Sequence, residues 1–284
     1  MKSAPFQYVR ARSLVHVLDL LARYREQGRV LAGGQSLLPT LGLRLDRAEV
    51  LIDVQDVPEL QHEPERVGEN WRLAALTRHA FFEHSAWASQ HLPLLAQAAP
   101  FIAHAPIRHR GTLAGSLIMA HPASEWPACL LALGAKVVLQ SQERGIRQVG
   151  LDDFFVGICQ TCREPDELLV AIEVPVQKQS LCAFREVALR KGDYAAVGLA
   201  AVGQKTPQGC ESRWVLFGVA DQPWPCTGIE DLLRVSADPG SVADRAQAWL
   251  TQHLQPHADP AYSAAAKLWI AQNMVKEVIH AWHA

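Results

Sequence analysis

The sequence predicts an α+β protein: two small mixed subdomains followed by a C-terminal three-stranded sheet covered by helices. Three observations carry that prediction. The short, almost wholly apolar run Val50-Leu51-Ile52-Asp53-Val54 has the composition of a strand buried on both faces, as in a small parallel sheet, and Val30-Leu31-Ala32 reads as another short apolar strand. Between residues 61 and 175, strand-like runs alternate with helical stretches. Beyond residue 176, three strand candidates come first and helical spacing follows. The expected segments are residues 1–57, 58–176 and 177–284.

In the first segment, Phe6, Tyr8 and Val9 suggest an opening strand. Ser13 caps an amphipathic helix carrying Leu14, Val17, Leu18 and Leu21, and Gly28 is expected to close it. The strand Val30–Ala32 then feeds Gly33, Gly34, Gln35 and Ser36 before an apolar segment opened by Pro39. That is an anion-binding turn: both glycines can take positive φ and leave their N–H groups unobstructed, and Ser36 adds a hydroxyl where a helix can begin. A glycine pair often does no more than reverse the chain, so a second stretch decides the matter. Ile107 to Pro127 pairs Gly111 with Thr112 and Gly115 with Ser116, and two such loops can clamp a pyrophosphate from both sides. The basic cluster Arg108-His109-Arg110 fits phosphate better than DNA.

The second segment has strand-like runs at Trp71–Leu76, Lys136–Leu139 and Leu168–Val174, around helical stretches at Ala80–Ser89, Pro93–Ile102 and Glu125–Leu133, the last stopped by Gly134. Composition turns polar over Pro175–Ser180, where the C-terminal segment is expected to begin. Its strand candidates are Cys182–Leu189, Ala195–Val202 and Trp214–Val219, with turns at Pro207 and Asp221. Helical spacing occupies Val242–Leu254 and Ser263–His280.

With 284 residues, 49% of them hydrophobic, and mean hydropathy near zero, the chain can bury a sizeable core. A net charge of −2 gives no electrostatic case for nucleic acid or an anionic membrane. The absence of a charged-then-apolar leader and of an apolar run of ~18 residues predicts a cytoplasmic protein without a membrane span. The six cysteines read as reduced thiols. Cys159 and Cys162 have CxxC spacing, but no second pair follows to complete a metal site. No nucleophile elbow, HExxH, Walker loop or Rossmann GxGxxG occurs.

The stretches Arg29–Leu45 and Ile107–Pro127 resemble the two flavin-binding loops of the FAD-binding, or medium, subunit of molybdenum hydroxylases of the xanthine dehydrogenase and carbon monoxide dehydrogenase type. The resemblance covers nearly the whole chain: Phe6-Gln7-Tyr8, Val50–Val54, Ala75–Ala80, Phe154–Gly157 and Pro165–Leu169 fit the same pattern. It implies an oxidoreductase subunit with a two-subdomain FAD-binding fold of the vanillyl-alcohol-oxidase (PCMH) type. FAD would accept electrons from [2Fe-2S] clusters on a small partner subunit and pass them to an external acceptor. A large molybdopterin-binding subunit would hydroxylate the substrate, and a dimer of heterotrimers is one assembly the resemblance allows. Electron transfer of this kind needs position and electrostatics from the protein and no acid–base triad, so no catalytic residue and no metal ligand is expected on this chain.

The resemblance places the pyrophosphate between Ala32, Gly33, Gly34, Gln35, Ser36 and Leu37 on one side and Gly111, Thr112, Leu113, Ala114, Gly115 and Ser116 on the other. Glu125 stands where a carboxylate faces the ribityl or ribose hydroxyls, although a carboxylate at a helix N-terminus is also stabilised by the macrodipole alone. Ile102 and Leu169 pack on flavin or adenine, or are plain core. Arg185 matches a basic position near the cofactor. Asp193 and Tyr194 end a Lys-Gly-Asp-Tyr turn whose aromatic lies close to the isoalloxazine, whereas residue type alone reads it as a surface turn. The chain departs from the commoner second loop at His109, Ala114, Met119 and His121, where asparagine, glycine, histidine and aspartate are usual. Two other readings stay open: a stand-alone flavin oxidoreductase of the same fold, and a non-catalytic scaffold with a decayed flavin site, for which Ala114 is the argument.

Overall fold

A computed structural model describes residues 2–176, 181–236 and 238–283. The polar stretch expected to lead into the C-terminal segment lies, at residues 177–180, outside the described residues. The chain divides into two compact units. Unit 1 comprises Met1–Phe81, His104–Met119 and Ala135–Pro175, and unit 2 comprises Phe82–Ala103, Ala120–Gly134 and Val176–Ala284.

In unit 1, β1 (Gln7–Arg10), β2 (Gly28–Leu31) and β3 (Val50–Asp53) form a parallel sheet in the order β1-β3-β2. The central β3 is buried throughout, as its almost wholly apolar run predicts, with the charged Asp53 at its end buried too. The connecting helix α1 (Leu14–Tyr24) starts where expected, with the Ser13 hydroxyl accepting from the His16 N–H. It ends three residues earlier than expected. Arg25, at φ 42°, takes the left-handed position and begins a 3₁₀ turn, Arg25–Gln27, which Gly28 closes by donating its N–H to Arg25 O; Gly28 does so at φ −85°, extended and not left-handed, and opens β2.

The second sheet of unit 1 runs β4-β5-β10-β6-β7 and is antiparallel in every pairing. Its strands are β4 (Glu65–Val67), β5 (Asn70–Ala74), β6 (Lys136–Ser141), β7 (Gly145–Gly150) and β10 (Leu168–Pro175). A hairpin of β8 (Phe155–Gly157) and β9 (Gln160–Thr161) stands apart from it. Strands β5, β6 and β10 follow the apolar runs of the sequence. The edge strands β4 and β7 are almost wholly exposed, so they carry no hydrophobic signature from which they could be predicted. The short helices α2 (Leu37–Gly42), α6 (Ala105–Arg108), α7 (Leu113–Met119) and α9 (Leu151–Phe154) link the strands.

The helical stretch expected at Ala80–Ser89 is two helices, α3 (His79–His84) and α4 (Ala86–His91). Ser85 interrupts it by capping α4, its hydroxyl accepting from the Ala88 N–H. Pro93–Ile102 likewise splits into α5 (Pro93–Ala98) and a 3₁₀ turn, Ala99–Phe101.

Unit 2 is built on an antiparallel sheet of β11 (Leu181–Ala188), β12 (Ala195–Thr206) and β13 (Gly209–Phe217), with a two-residue fourth strand, β14 (Trp224–Pro225), added at the edge. One face carries Val197, Leu199, Ala201, Trp214 and Leu216 into a core with α10 (Thr227–Val235), α11 (Pro239–His253) and α12 (Ala264–His283). The alternate residues point the other way, as a pleated strand requires. Helices α5 and α8 (Glu125–Ala132) pack on the sheet, and every residue of α8 is buried.

Candidate functional site

In unit 1 the two glycine loops meet. Gly34 has φ +74°, the left-handed conformation expected of it, but Gly33 does not. Gly33 is needed for space: a Cβ there would lie 2.4 Å from the Arg110 carbonyl oxygen and 2.9 Å from the Gly111 Cα. The loops therefore touch backbone to backbone at this point. The Gln35 Nε2 donates to the Gly33 carbonyl at 3.0 Å and fixes the turn, and Ser36 occupies the N-cap position of α2 without a side-chain cap bond. Among the described residues, the backbone N–H groups of Gly33, Gly34, Gln35, Ser36 and Leu37 donate to no acceptor of this chain. Successive N–H groups left free in a glycine turn form an anion-binding concavity.

The second loop is built differently from the sequence expectation. Leu113–Met119 is a helix, so Leu113, Ala114, Gly115 and Ser116 form its first turn and not an open loop. Their N–H groups are already used: Leu113 donates to Thr77 O, Ala114 to Ala75 O, Gly115 to Thr112 Oγ1 and Ser116 to Thr112 O, at 2.9 to 3.2 Å. Ala114 and Thr112 are buried. The methyl of Ala114 is thus part of the packing of unit 1. Gly111 is fixed by a close neighbour, since a Cβ there would come 2.5 Å from Nε2 of His79. His79 in turn gives its backbone N–H to Gly111 O at 3.2 Å. Burial, then Arg78 and Arg108, lower the His79 pKa to about 3, so its ring is neutral at physiological pH. The Arg78 guanidinium donates to the Arg110 carbonyl. Leu169, on β10, is buried in the same unit, paired with Leu139 of β6.

The other candidates lie in unit 2. Glu125 begins α8 and is 7% exposed. Burial raises its pKa to about 7, against a smaller lowering by its own backbone N–H. A carboxylate held by the helix terminus alone would shift the other way, so desolvation outweighs the macrodipole here. Glu186 of β11, which sequence reasoning missed, carries a second perturbed carboxyl, raised to about 8 by burial and then by Glu125. One of its carboxylate oxygens, Oε2, is buried without a hydrogen-bond partner among the described residues. Cys129, one turn along α8 from Glu125, is fully buried, and its thiol is held well above the ordinary range.

Ile102 is buried, and Arg185 is exposed with its guanidinium on the Phe184 carbonyl at 2.9 Å. Asp193 closes a turn by donating its N–H to Arg190 O, with Gly192 at φ +88°. Tyr194 is 60% exposed, and its ring stacks on His121 with centroids 4.0 Å apart and planes at 18°. The only sequence signal for His121 was its departure from the usual aspartate.

Residues 4–177 match the family described as the FAD binding domain in molybdopterin dehydrogenase. The chain is 38% identical to the caffeine dehydrogenase subunit beta of Pseudomonas sp. (strain CBB1) over 235 residues, covering 82% of this chain and 79% of that relative. To the nicotine 6-hydroxylase medium subunit of Paenarthrobacter nicotinovorans it is 39% identical over 202 residues, covering 71% and 70%. Its fold is similar to a chain of quinoline 2-oxidoreductase from Pseudomonas putida 86, with a TM-score of 0.93 and 32% identity over 100% of this chain and 98% of that one. By profile and by relatives, the chain belongs to the FAD-binding, medium-subunit family of the molybdenum hydroxylases.

Proposed function

We propose that the Gly33–Leu37 turn holds the FAD pyrophosphate on its free N–H groups, and that this chain is the electron-transfer subunit of a heteromeric cytoplasmic hydroxylase. The observation that carries the reading is the turn itself: five consecutive N–H groups without an acceptor among the described residues, in a backbone whose one glycine has positive φ and whose other allows the contact with Arg110. Because the N–H groups of Leu113–Ser116 are committed within unit 1, the second stretch supports the first turn from behind and contributes donors through side chains such as Ser116. Bound flavin would supply a redox centre between iron–sulfur clusters and an external acceptor; this chain's part is to bind and orient it. Glu125, Arg185, Asp193 and Tyr194 are assigned to the same cofactor by family resemblance, with Ile102 and Leu169 as apolar neighbours.

The partners proposed are a large molybdopterin-binding subunit and a small [2Fe-2S] subunit. The relatives named as a subunit beta and a medium subunit support a heteromeric assembly. Six free cysteines fit a reducing compartment, and no helix among the described residues is long and apolar enough to cross a membrane.

Gly33→Val tests the turn. A branched side chain must displace the Arg110 carbonyl, which opens the contact on which the turn rests. The expected result is a protein with parental far-ultraviolet circular dichroism and at least a tenfold loss of bound FAD per chain. Full flavin content in a folded variant refutes the assignment.

A further inference from the structure

We propose that His121 is a positioning residue for Tyr194: it holds one face of the phenol ring so that the opposite face is presented to the flavin. The proposal rests on the reading of Tyr194 as a flavin neighbour and adds the device that orients it. Tyr194 sits at the end of a tight turn and is 60% exposed, where a ring would ordinarily sample several rotamers. Instead it lies nearly parallel to the His121 imidazole, at 4.0 Å and 18°.

The imidazole is itself fixed. Its Nδ1 accepts from the Ala123 N–H at 3.2 Å, which places the ring proton on Nε2. The His121 carbonyl accepts from the Ser124 N–H at 2.9 Å, and Ala120 before it is in the left-handed region at φ 46°. The next residue, Pro122, accepts from the Gly218 N–H at 2.9 Å. Gly218 is held from α12: the buried Lys267 donates to the Gly218 carbonyl at 3.0 Å and pairs with Asp259 at 2.7 Å. A run of contacts within unit 2 thus joins the C-terminal helix to the face of Tyr194. Burial also lowers the His121 pKa, so the ring that meets the phenol is the neutral one.

The test uses the assembled, flavin-loaded protein carrying His121→Ala, His121→Phe, Tyr194→Ala or His121→Ala with Tyr194→Ala. Two readouts other than turnover are taken: the visible absorption spectrum of the flavin, and the proton resonances of the histidine rings. The expected outcome is that His121→Ala shifts the flavin spectrum in the same direction as Tyr194→Ala and changes reoxidation several-fold. His121→Phe, which keeps a flat ring, restores the parental spectrum, and the double variant adds nothing to Tyr194→Ala. The His121 ring resonance, identified by its loss in His121→Phe, moves downfield in Tyr194→Ala as the ring current disappears. A parental spectrum in His121→Ala together with a shifted one in Tyr194→Ala overturns the positioning role alone. A shift in His121→Ala that phenylalanine does not rescue overturns the stack as its cause. A parental spectrum in Tyr194→Ala overturns the flavin-neighbour reading and this proposal with it.

Discussion

Glu125 carries a proton over a range in which an ordinary glutamate is ionised, and that ties the stability of unit 2 to pH. Its folded pKa is about 7 against an ordinary 4.5 for a solvated glutamate, so the folded chain binds the proton more tightly than the unfolded chain. The stabilisation is complete below about 4.5 and is lost as pH rises through about 7. Glutamine mimics the protonated carboxyl and has no proton to lose. Glu125→Gln should therefore gain stability relative to the parent between pH 5 and pH 8, by roughly 1–3 kcal/mol. Thermal midpoints at the two pH values measure this, and an unchanged difference between them would show that Glu125 is solvated. Glu186, raised to about 8, leaves the variant with a residual pH dependence in an overlapping window.

At the scale of the element, the β12–β13 pairing depends on a missing side chain. Gly198 faces Phe217 across the ladder, and a Cβ on Gly198 would lie 2.0 Å from the Phe217 ring. The aromatic ring fills the space the glycine leaves, and it also lies 5.8 Å from the ring of Phe184 on β11. Gly198→Ala should overpack this face at a cost of about 1–3 kcal/mol and lower the thermal midpoint by several degrees. Adding Phe217→Leu should recover part of the loss. If Gly198→Ala melts like the parent, the ring has another rotamer available and the glycine is not required.

For the whole molecule, the consequence of the family assignment is composition. The sequence offers no histidine or cysteine recognisable as a flavin attachment site, so acid precipitation should release all the FAD into the supernatant. Yellow colour retained in the pellet would disprove non-covalent binding. Purification under mild conditions from the native source should bring down molybdenum and iron with this chain. A flavoprotein that purifies alone and turns over without either metal would favour the stand-alone oxidoreductase.

The sequence by itself determined the elements whose signals are local. The buried run of β3, the Ser13 cap and the glycine turn after β2 are each written in a few adjacent residues, and the motif pattern around them was enough to name the family. Edge strands β4 and β7 left no trace in it, because exposed strands need no apolar alternation. Only the tertiary structure decided why Gly33 is glycine: the carbonyl that excludes its Cβ belongs to Arg110, brought there by the return of the chain. It also showed that the amides of Leu113–Ser116 are spent on Ala75, Thr77 and Thr112, which the same residues in an open loop would have left free. The protonation of Glu125 and the stacking of Tyr194 on His121 likewise depend on neighbours distant in sequence. Desolvation and ring contact arise from what covers a side chain, and packing alone sets that cover.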